Sequence, residues 1–284
     1  MRETPFGVRK GSGTFTATGD VELYEQRWEV VGKSKAAVVI VHGYGEHSSR
    51  YEHLAARLNA ECFSVYAYDQ LGHGESPGRR GYLSSFARLS QDLGIYLNWL
   101  RPTLGGTPLF LMGHSFGALV LLHHILGASP AVNGLVLSSG LFTMNEQTAP
   151  LTQKLLPFLS AVAPHLSVHS VDPAAISRDP EEVLRYAEDP LNYYVRIEAR
   201  TAHEIAKAIK EAATRFSEIT LPFIALHGTA DQLAPCRGSR RLYELAGSEE
   251  KALKIYEGAY HEVFNDIDRE AFVADVLDWL NARC

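Results

Sequence analysis

The segment LFLMGHSFGALVLLHHIL, residues 109–126, places Ser115 between two glycines, with an apolar run on each side. A serine hydroxyl attacks an ester or amide carbonyl once a base removes its proton. The run before Ser115 is typical of a buried strand and the run after it of a helix, so Ser115 lies at a strand-to-helix turn. Gly113 and Gly117 relieve crowding at such a bend because they have no side chain. The sequence predicts a nucleophile elbow; the alternative is a tight turn that contains a serine by chance.

An activated serine needs a histidine base and an acid that orients the histidine, and after such an elbow the acid precedes the histidine in the chain. Of twelve histidines, His261 comes just after the last predicted strand, in YEGAYHEVFND. Asp231 follows an earlier strand, in FIALHGTADQLAP, whereas Asp266 and Asp268 follow His261 and break the order. We therefore predict a catalytic triad of Ser115, Asp231 and His261. The ordinary alternatives are a turn aspartate and a structural histidine.

Acyl transfer also requires backbone N–H donors for the negatively charged oxygen of the intermediate. Phe116, directly after Ser115, supplies one donor. We expect the second from Tyr44, in the loop HGYGEH at residues 42–47, which follows an early strand. The glycines of this loop also fit a plain tight turn.

The elements that must position these residues alternate between strands and helices. Apolar runs without alternation indicate strands buried on both faces of a parallel sheet. The hairpin TFTATGDVELYEQRWEV, residues 14–30, turns at Gly19-Asp20. The pattern predicts an α/β fold with a mostly parallel, doubly wound sheet and an N-terminal antiparallel hairpin. Its strands are expected at 36–43, 62–69, 108–115, 134–139, 222–228 and 252–258, and its helices at 51–60, 85–100, 116–128, 237–247 and 269–281.

One long interval interrupts this alternation. Residues 142–217 contain helix-like stretches at 149–166 and 203–216 but no convincing core strand. We expect a helical cap at 142–217, inserted into a core of residues 1–141 and 218–284. Such an insertion lies over the strand ends, where α/β sheets bind ligands. The alternative is a structural appendage.

The bulk composition excludes several classes of protein. The 284 residues are 46% apolar and carry a net charge of −6, with no basic tract, which argues against a nucleic-acid partner. Neither a signal-peptide core nor a membrane-spanning run is present in the sequence. Cys62, Cys236 and Cys284 are too few and too far apart to indicate disulfides or a zinc site. These features predict a cytoplasmic protein.

Several blocks in one order carry a resemblance: VIVHGYGEHSSRYEHLAARL, YAYDQLGHGESPGRRGYL, GHSFG, HGTADQL and LKIYEGAYHEVFND. Together they resemble the monoacylglycerol lipase family of serine α/β-hydrolases over most of the chain. The resemblance implies the α/β-hydrolase fold, the same triad, the Tyr44 and Phe116 oxyanion donors and no metal or cofactor. It also implies a helical cap that opens toward lipid. Contacts with the glycerol hydroxyls fall by motif on Glu46, Arg50, His114 and Tyr186, and candidates for the acyl tunnel are Leu155, Leu156, Phe158 and Leu159.

The sequence departs from the family pattern in three places. Tyr44 stands where the family often has a small residue, which narrows the site. The elbow reads GHSFGA, where relatives commonly have methionine and glycine in place of this phenylalanine and alanine. Cys236 lies near, but not at, the position of a pocket cysteine in some relatives. None of these changes removes a catalytic group.

The expected function is hydrolysis of monoacylglycerols to fatty acid and glycerol through an acyl-enzyme. One alternative is a broader carboxylesterase or lysophospholipase with the same triad. Another is a non-catalytic binding protein built on the hydrolase fold, since a fold alone does not fix function. The leucine-rich cap stretch fits transient contact with a membrane surface as well as packing on the sheet. The sequence leaves the oligomeric state open.

Overall fold

The computed structural model describes residues 2–3, 7–144, 150–194 and 196–284. The strands of this part are β1 (Arg2–Glu3), β2 (Val8–Ala17), β3 (Val21–Val30), β4 (Ala36–Val41), β5 (Phe63–Tyr68), β6 (Leu109–His114), β7 (Gly134–Ser138), β8 (Ser167–His169), β9 (Ile197–Glu198), β10 (Phe223–Gly228) and β11 (Lys251–Tyr256). Within the described residues, nine strands form one sheet in the order β1-β2-β3-β5-β4-β6-β7-β10-β11. The strands from β5 to β11 in this order pair in parallel, whereas β1, β2 and β3 pair antiparallel. The predicted α/β-hydrolase fold is confirmed.

Helices cover both faces of the sheet. They are α1 (Glu52–Ala60), α2 (Phe86–Leu104), α3 (Phe116–Ala128), α4 (Pro150–Val162), α5 (Pro180–Glu188), α6 (Ala199–Ala213), α7 (Arg237–Leu245) and α8 (Arg269–Asn281). Side chains of β4 alternate between two apolar clusters: Val39 packs with α2 and α3, and Val38 with α1 and α8. Because both faces are buried, the central strands carry continuous apolar runs.

The N-terminal hairpin is longer than the sequence predicts. It begins at Val8 and turns at Gly19 and Asp20, both with positive φ, as a tight hairpin turn requires. β3 then pairs antiparallel with β5. The hairpin therefore extends the main sheet.

Helices α4, α5 and α6 come between β7 and β10 in the chain. The predicted helical stretch 149–166 begins at Ala149, which lies outside the described residues, and the described helix ends at Val162. The short antiparallel pair β8 and β9 was not predicted. In the described part of the chain, no helix is long and apolar enough to cross a membrane.

The parallel strands bring the predicted site residues to one edge of the sheet. Tyr44 follows β4, Ser115 follows β6, Asp231 follows β10 and His261 follows β11. The carboxyl ends of parallel strands meet at the same edge, where α/β folds bind their ligands.

Candidate active site

Ser115 occupies a strained turn between β6 and α3. Its φ is +52° and its ψ is −116°, a combination that side-chain-bearing residues seldom adopt. A Cβ at Gly113 would lie 2.7 Å from Cα of Ala118, and one at Gly117 would lie 2.1 Å from the carbonyl oxygen of Val41. Both glycines are therefore required by close backbone approach, and the bend has the form of a nucleophile elbow.

His261 and Asp231 meet below the elbow. His261 Nδ1–H donates to Asp231 Oδ2 over 2.7 Å, and both side chains are buried. Burial alone would lower the pKa of His261, but the charge and hydrogen bond of Asp231 leave this pKa above its ordinary value. Burial likewise opposes ionisation of Asp231, yet the two histidines that contact it hold the pKa of its carboxyl below the usual range. The contact leaves Nε2 of His261 available as a base.

A second histidine, His227 on β10, also contacts Asp231 and was not predicted. Its Nε2–H lies 3.1 Å from Asp231 Oδ2 and 2.7 Å from the carbonyl oxygen of Ala234. Both atoms are acceptors, so Nε2 carries the proton and Nδ1 accepts from the Ser239 hydroxyl at 2.7 Å. In the sequence, His227 stands four residues before Asp231 at a strand end. This position does not by itself predict that the two side chains are in contact.

A cavity of about 480 Å³ opens at the sheet edge, and Ser115 and His261 both line it. One part of its wall is polar and is formed by Glu46, His114, Tyr186 and Glu262. The other lining residues are mostly apolar, with the polar residues His169, Ser170, Asp172 and Gln232 among them; the apolar ones include Leu141, Met144, Leu156, Val168, Val171, Ile176, Ile197, Ile205, Ile209 and Leu233. A ligand with one polar and one apolar end fits this division.

The loop after β4 borders the same cavity through Gly43 and Tyr44. Within the described residues, neither the Tyr44 N–H nor the Phe116 N–H donates to another protein group. Such N–H groups are available to an anion, and the Phe116 N–H is at the start of α3, where the helix dipole also favours negative charge. The Tyr44 side chain is held elsewhere, since its hydroxyl donates to the Gly81 carbonyl over 2.7 Å.

Arg50 does not occupy the place that the resemblance implies. The described residues that line the cavity do not include Arg50, whose guanidinium lies against the lining residue Tyr186, with its carbon centre 4.6 Å from the ring centroid. It donates to Glu46 over 2.8 Å and to Glu262 over two bonds of 2.6 Å. Burial raises the pKa of Glu46, whereas in Glu262 the paired Arg50 outweighs burial and lowers the pKa. Arg50 therefore holds two wall residues in place.

The cap candidates divide between two faces of α4. Leu156 is buried and lines the cavity, whereas Leu155 and Phe158 are exposed, Phe158 by 63%. Leu159 is half-buried and lies outside the wall formed by the described residues. At about 100° per residue, Leu156 and Phe158 point about 160° apart around α4, so the two side chains cannot both face one cavity. The expectation for Leu155, Phe158 and Leu159 therefore differs from the structure.

In the part of the chain that the structure describes, no group of three His, Cys, Asp or Glu side chains is arranged to hold a metal ion. The three cysteines Cys62, Cys236 and Cys284 are free thiols. The chemistry available at the site is that of a hydroxyl, an imidazole and a carboxylate, with backbone donors nearby. This set suits acyl transfer.

Comparison with known proteins agrees with this chemistry. A family model described as serine aminopeptidase, S33, matches residues 32–268. A monoacylglycerol lipase from Mycolicibacterium smegmatis is 32% identical over 271 residues, which cover 94% of this chain and 95% of the relative. Human monoglyceride lipase is 34% identical over 264 residues, which cover 92% of this chain and 87% of the relative. The chain belongs to the monoacylglycerol lipase family of serine hydrolases.

A solved member of this family has the same fold. The crystal structure of Paleococcus ferrophilus monoacylglycerol lipase superposes with a TM-score of 0.82 at 34% identity. The match covers 93% of this chain and 100% of the other. The family resemblance of the sequence blocks therefore extends to the three-dimensional structure.

Proposed function

We propose that the protein hydrolyses monoacylglycerols to fatty acid and glycerol through an acyl-enzyme on Ser115. The observation that carries this proposal is the cavity itself, which joins Ser115 and His261 to one polar wall and one apolar wall. Support comes from relatives of similar length whose names describe lipases of this substrate class. We infer two catalytic steps from this arrangement.

In the first step, His261 Nε2 takes the proton of Ser115 while the hydroxyl oxygen attacks the ester carbonyl. Asp231 fixes the imidazole through Nδ1 and stabilises its charged form. The carbonyl oxygen becomes negative and accepts hydrogen bonds from the backbone N–H groups of Tyr44 and Phe116. When the ester bond breaks, His261 returns its proton to the glycerol oxygen, and the acyl group stays on Ser115.

In the second step, water takes the place of the glycerol oxygen. His261 removes a proton from this water, whose oxygen attacks the acyl carbonyl, and the same donors bind the negative oxygen. The bond to Ser115 breaks, Ser115 recovers a proton from His261, and the fatty acid leaves. One ester and one water yield one acid and one alcohol.

The two ends of the substrate meet different walls. We assign the glycerol hydroxyls to Glu46, His114 and Tyr186, with Arg50 holding their side of the cavity. The acyl chain lies along the apolar wall that includes Leu156. Each buried methylene contributes about 0.8 kcal/mol to binding, so the length of the apolar wall determines the preferred chain.

The proposal is tested by fatty-acid release from 1-monoacylglycerols of graded chain length. Wild-type protein is expected to release long chains, and Ser115→Ala to abolish release. Ser139→Ala is a matched control, because Ser139 also has a positive φ, is buried and makes no hydrogen bond through its hydroxyl within the described residues. Its activity is expected to stay within about twofold of wild type, since nothing connects its hydroxyl to the reaction.

Other outcomes redirect the assignment. Release confined to short acyl chains, still dependent on Ser115, would indicate a general carboxylesterase. Faster release from lysophospholipid would indicate a lysophospholipase. No release from any ester, together with no labelling by a fluorophosphonate probe, would contradict the enzyme assignment and favour a binding protein.

We further propose that the cap contacts lipid surfaces transiently while the protein resides in the cytoplasm. The exposed large apolar side chains among its described residues are Leu155, Phe158, Val162, Leu166 and Leu184. The first three recur at helical spacing on α4, as in helices that lie on a membrane surface. Phe158→Ser is expected to weaken sedimentation with phosphatidylcholine vesicles, whereas Leu245→Ser, at an exposed leucine on α7, is expected to leave it unchanged. Equal sedimentation of both variants would contradict the contact.

A further inference from the structure

The loop after β4 must point one particular N–H group into the cavity. Under the proposed function, the Tyr44 N–H binds the negative oxygen in both catalytic steps. This N–H belongs to the peptide group that joins Gly43 to Tyr44. Rotation of this peptide would turn the N–H away and leave the oxygen with one donor fewer, so the orientation of the peptide matters to catalysis.

His42, directly after β4, contacts this peptide. Its side chain is fully buried, and Nδ1 lies 2.7 Å from the carbonyl oxygen of Gly43. On the other side of the ring, the backbone N–H of Gln70 donates to Nε2 over 2.9 Å. A backbone N–H can only donate, so Nε2 must be unprotonated and Nδ1 must carry the ring proton of the neutral imidazole. Nδ1–H therefore donates to the Gly43 carbonyl.

Burial keeps the imidazole in this neutral form. It is the main cause that lowers the pKa of His42 to about 3. The Gln70 side chain adds a further restraint, since its amide donates to the His42 carbonyl over 2.7 Å. The Gln70 backbone thus sets the tautomer of the ring, and the Gln70 side chain restrains the backbone that carries it.

The orientation of the Tyr44 N–H follows from peptide geometry. A trans peptide is planar, so its C=O and N–H point in opposite directions. His42 holds the Gly43 carbonyl on one side, which fixes the Tyr44 N–H on the other. The preceding peptide is held as well, because the Gly43 N–H donates to Glu46 Oε1 over 2.6 Å. Gly43 has no side chain to resist rotation, so these two contacts supply the restraint.

We propose that His42 is a positioning residue that orients the Tyr44 N–H toward the oxyanion, in the tautomer that the Gln70 backbone imposes. It touches neither substrate nor reacting atoms. The inference rests on the proposed function and deepens it by naming what holds one of its two donors in place.

Two substitutions test this role. His42→Leu removes the donor to Gly43, whereas His42→Asn places an amide N–H where Nδ1–H stood. Loss of one oxyanion donor typically lowers kcat by about 10²–10³-fold. We expect a fall of that order in His42→Leu with KM within about twofold of wild type, and recovery of kcat to within about tenfold of wild type in His42→Asn.

A matched control separates positioning from general loss of packing. His124 on α3 is also buried, and its Nδ1 lies 3.0 Å from the carbonyl oxygen of Ser90. His124→Leu removes a comparable histidine-to-carbonyl contact away from the cavity. It is expected to lower the unfolding midpoint as much as His42→Leu but to leave kcat within about twofold of wild type.

Inhibitor binding gives a readout that a structural role would not move. An alkylboronic acid forms a tetrahedral adduct on Ser115 with an oxygen at the oxyanion position, whereas a 1-O-alkylglycerol ether has no carbonyl. In His42→Leu the boronic acid is expected to bind about 10²-fold more weakly. The ether is expected to bind as in wild type. Equal weakening of both ligands, or of neither, would overturn the proposal.

The wild-type protein provides a test that no misfolded variant can obscure. Two-bond ¹⁵N–¹H spectra distinguish histidine tautomers, and His42 is expected to carry its proton on Nδ1. A proton on Nε2 would refute the inference. The rates of the His42 and His124 variants are measured with 4-nitrophenyl butyrate. Failure of the protein to cleave monoacylglycerols would therefore contradict the proposed substrate, while the role of His42 could still be tested.

Discussion

Substitution of Arg50 by methionine would leave two buried carboxylates without their counter-ion. The guanidinium makes three hydrogen bonds to Glu46 and Glu262, and the three side chains are 8%, 3% and 3% exposed in that order. Methionine fills a similar volume but has neither a hydrogen-bond donor nor a positive charge. We expect Arg50→Met to destabilise the folded protein strongly.

The magnitude follows from the burial of the pair. Removal of one partner from a buried ion pair costs about 3–5 kcal/mol, because the other charge stays desolvated and unpaired. In a protein of this size each kcal/mol lowers Tm by about 2–4 °C. The expected decrease in Tm is therefore about 6–20 °C. Activity should fall as well, because Glu46 holds the Gly43 N–H and Glu262 adjoins His261.

Urea unfolding at two pH values tests the electrostatic cause. Without Arg50, burial and mutual repulsion raise the pKa values of Glu46 and Glu262 in the folded state. A carboxyl whose folded-state pKa is raised destabilises the protein most above that pKa, and the penalty fades as the pH falls. The loss in unfolding free energy should thus be larger at pH 8 than at pH 5.5.

Arg57→Met is the matched control. Arg57 pairs with Glu270 over 2.6 Å, but the two side chains are 47% and 70% exposed. Exposed pairs contribute about 0–1 kcal/mol, so this variant should unfold close to wild type at both pH values. Equal effects of the two substitutions, or a loss for Arg50→Met that does not change with pH, would refute the reasoning.

Three further outcomes are expected. Gly117→Ala should destabilise the protein by about 1–3 kcal/mol in urea unfolding, because the new methyl group meets backbone at 2.1 Å. Gly127 lies on the same helix with open space around it, so Gly127→Ala should instead stabilise the protein by about 0.5–1 kcal/mol. If Gly117→Ala proved the more stable of the two variants, the steric explanation of the elbow would be contradicted. The acid limb of kcat/KM should have its midpoint above about 6.5, since the base must be neutral and the pKa of His261 is raised; a midpoint below this value would argue against the carboxylate contact. Leu156→Trp should shorten the preferred acyl chain in a chain-length series while Leu155→Trp leaves it unchanged, and equal profiles would place the acyl chain elsewhere.

The fold could be predicted from the sequence because its signals are local. Continuous apolar runs mark strands buried on both faces, and all six core strands predicted this way are present within a few residues of their expected bounds. The elbow could also be predicted from the sequence, because two glycines around Ser115 indicate a strand-to-helix turn in which backbone atoms come too close for a side chain. Once the parallel sheet is known, the strand ends that precede Asp231 and His261 must share an edge.

What the sequence could not supply depends on contacts between distant residues. Arg50 pairs with Glu262 across 212 positions, and nothing in the local pattern of either residue indicates burial. His227 contacts Asp231 because a strand end and the following turn fold back together. On α4, apolar residues occur on both faces, so periodicity could not distinguish Leu156 at the cavity from Phe158 in solvent.

The strands that flank the insertion are direct neighbours in the sheet. β7 and β10 pair in parallel, with Ser138 opposite Leu226, so the chain leaves the sheet for helices α4 to α6 and returns beside its point of departure. The entropy of closing a loop grows only slowly with its length, so a long insertion between these two strands adds little to the cost of closing the loop. Nucleophile, base and acid all lie outside that stretch. A graft of this segment from another family member would exchange the acyl-wall residue Leu156 with it, and it would have to restore the contacts that Ile176 and Arg178 make with Glu262 and Asp266 beside His261.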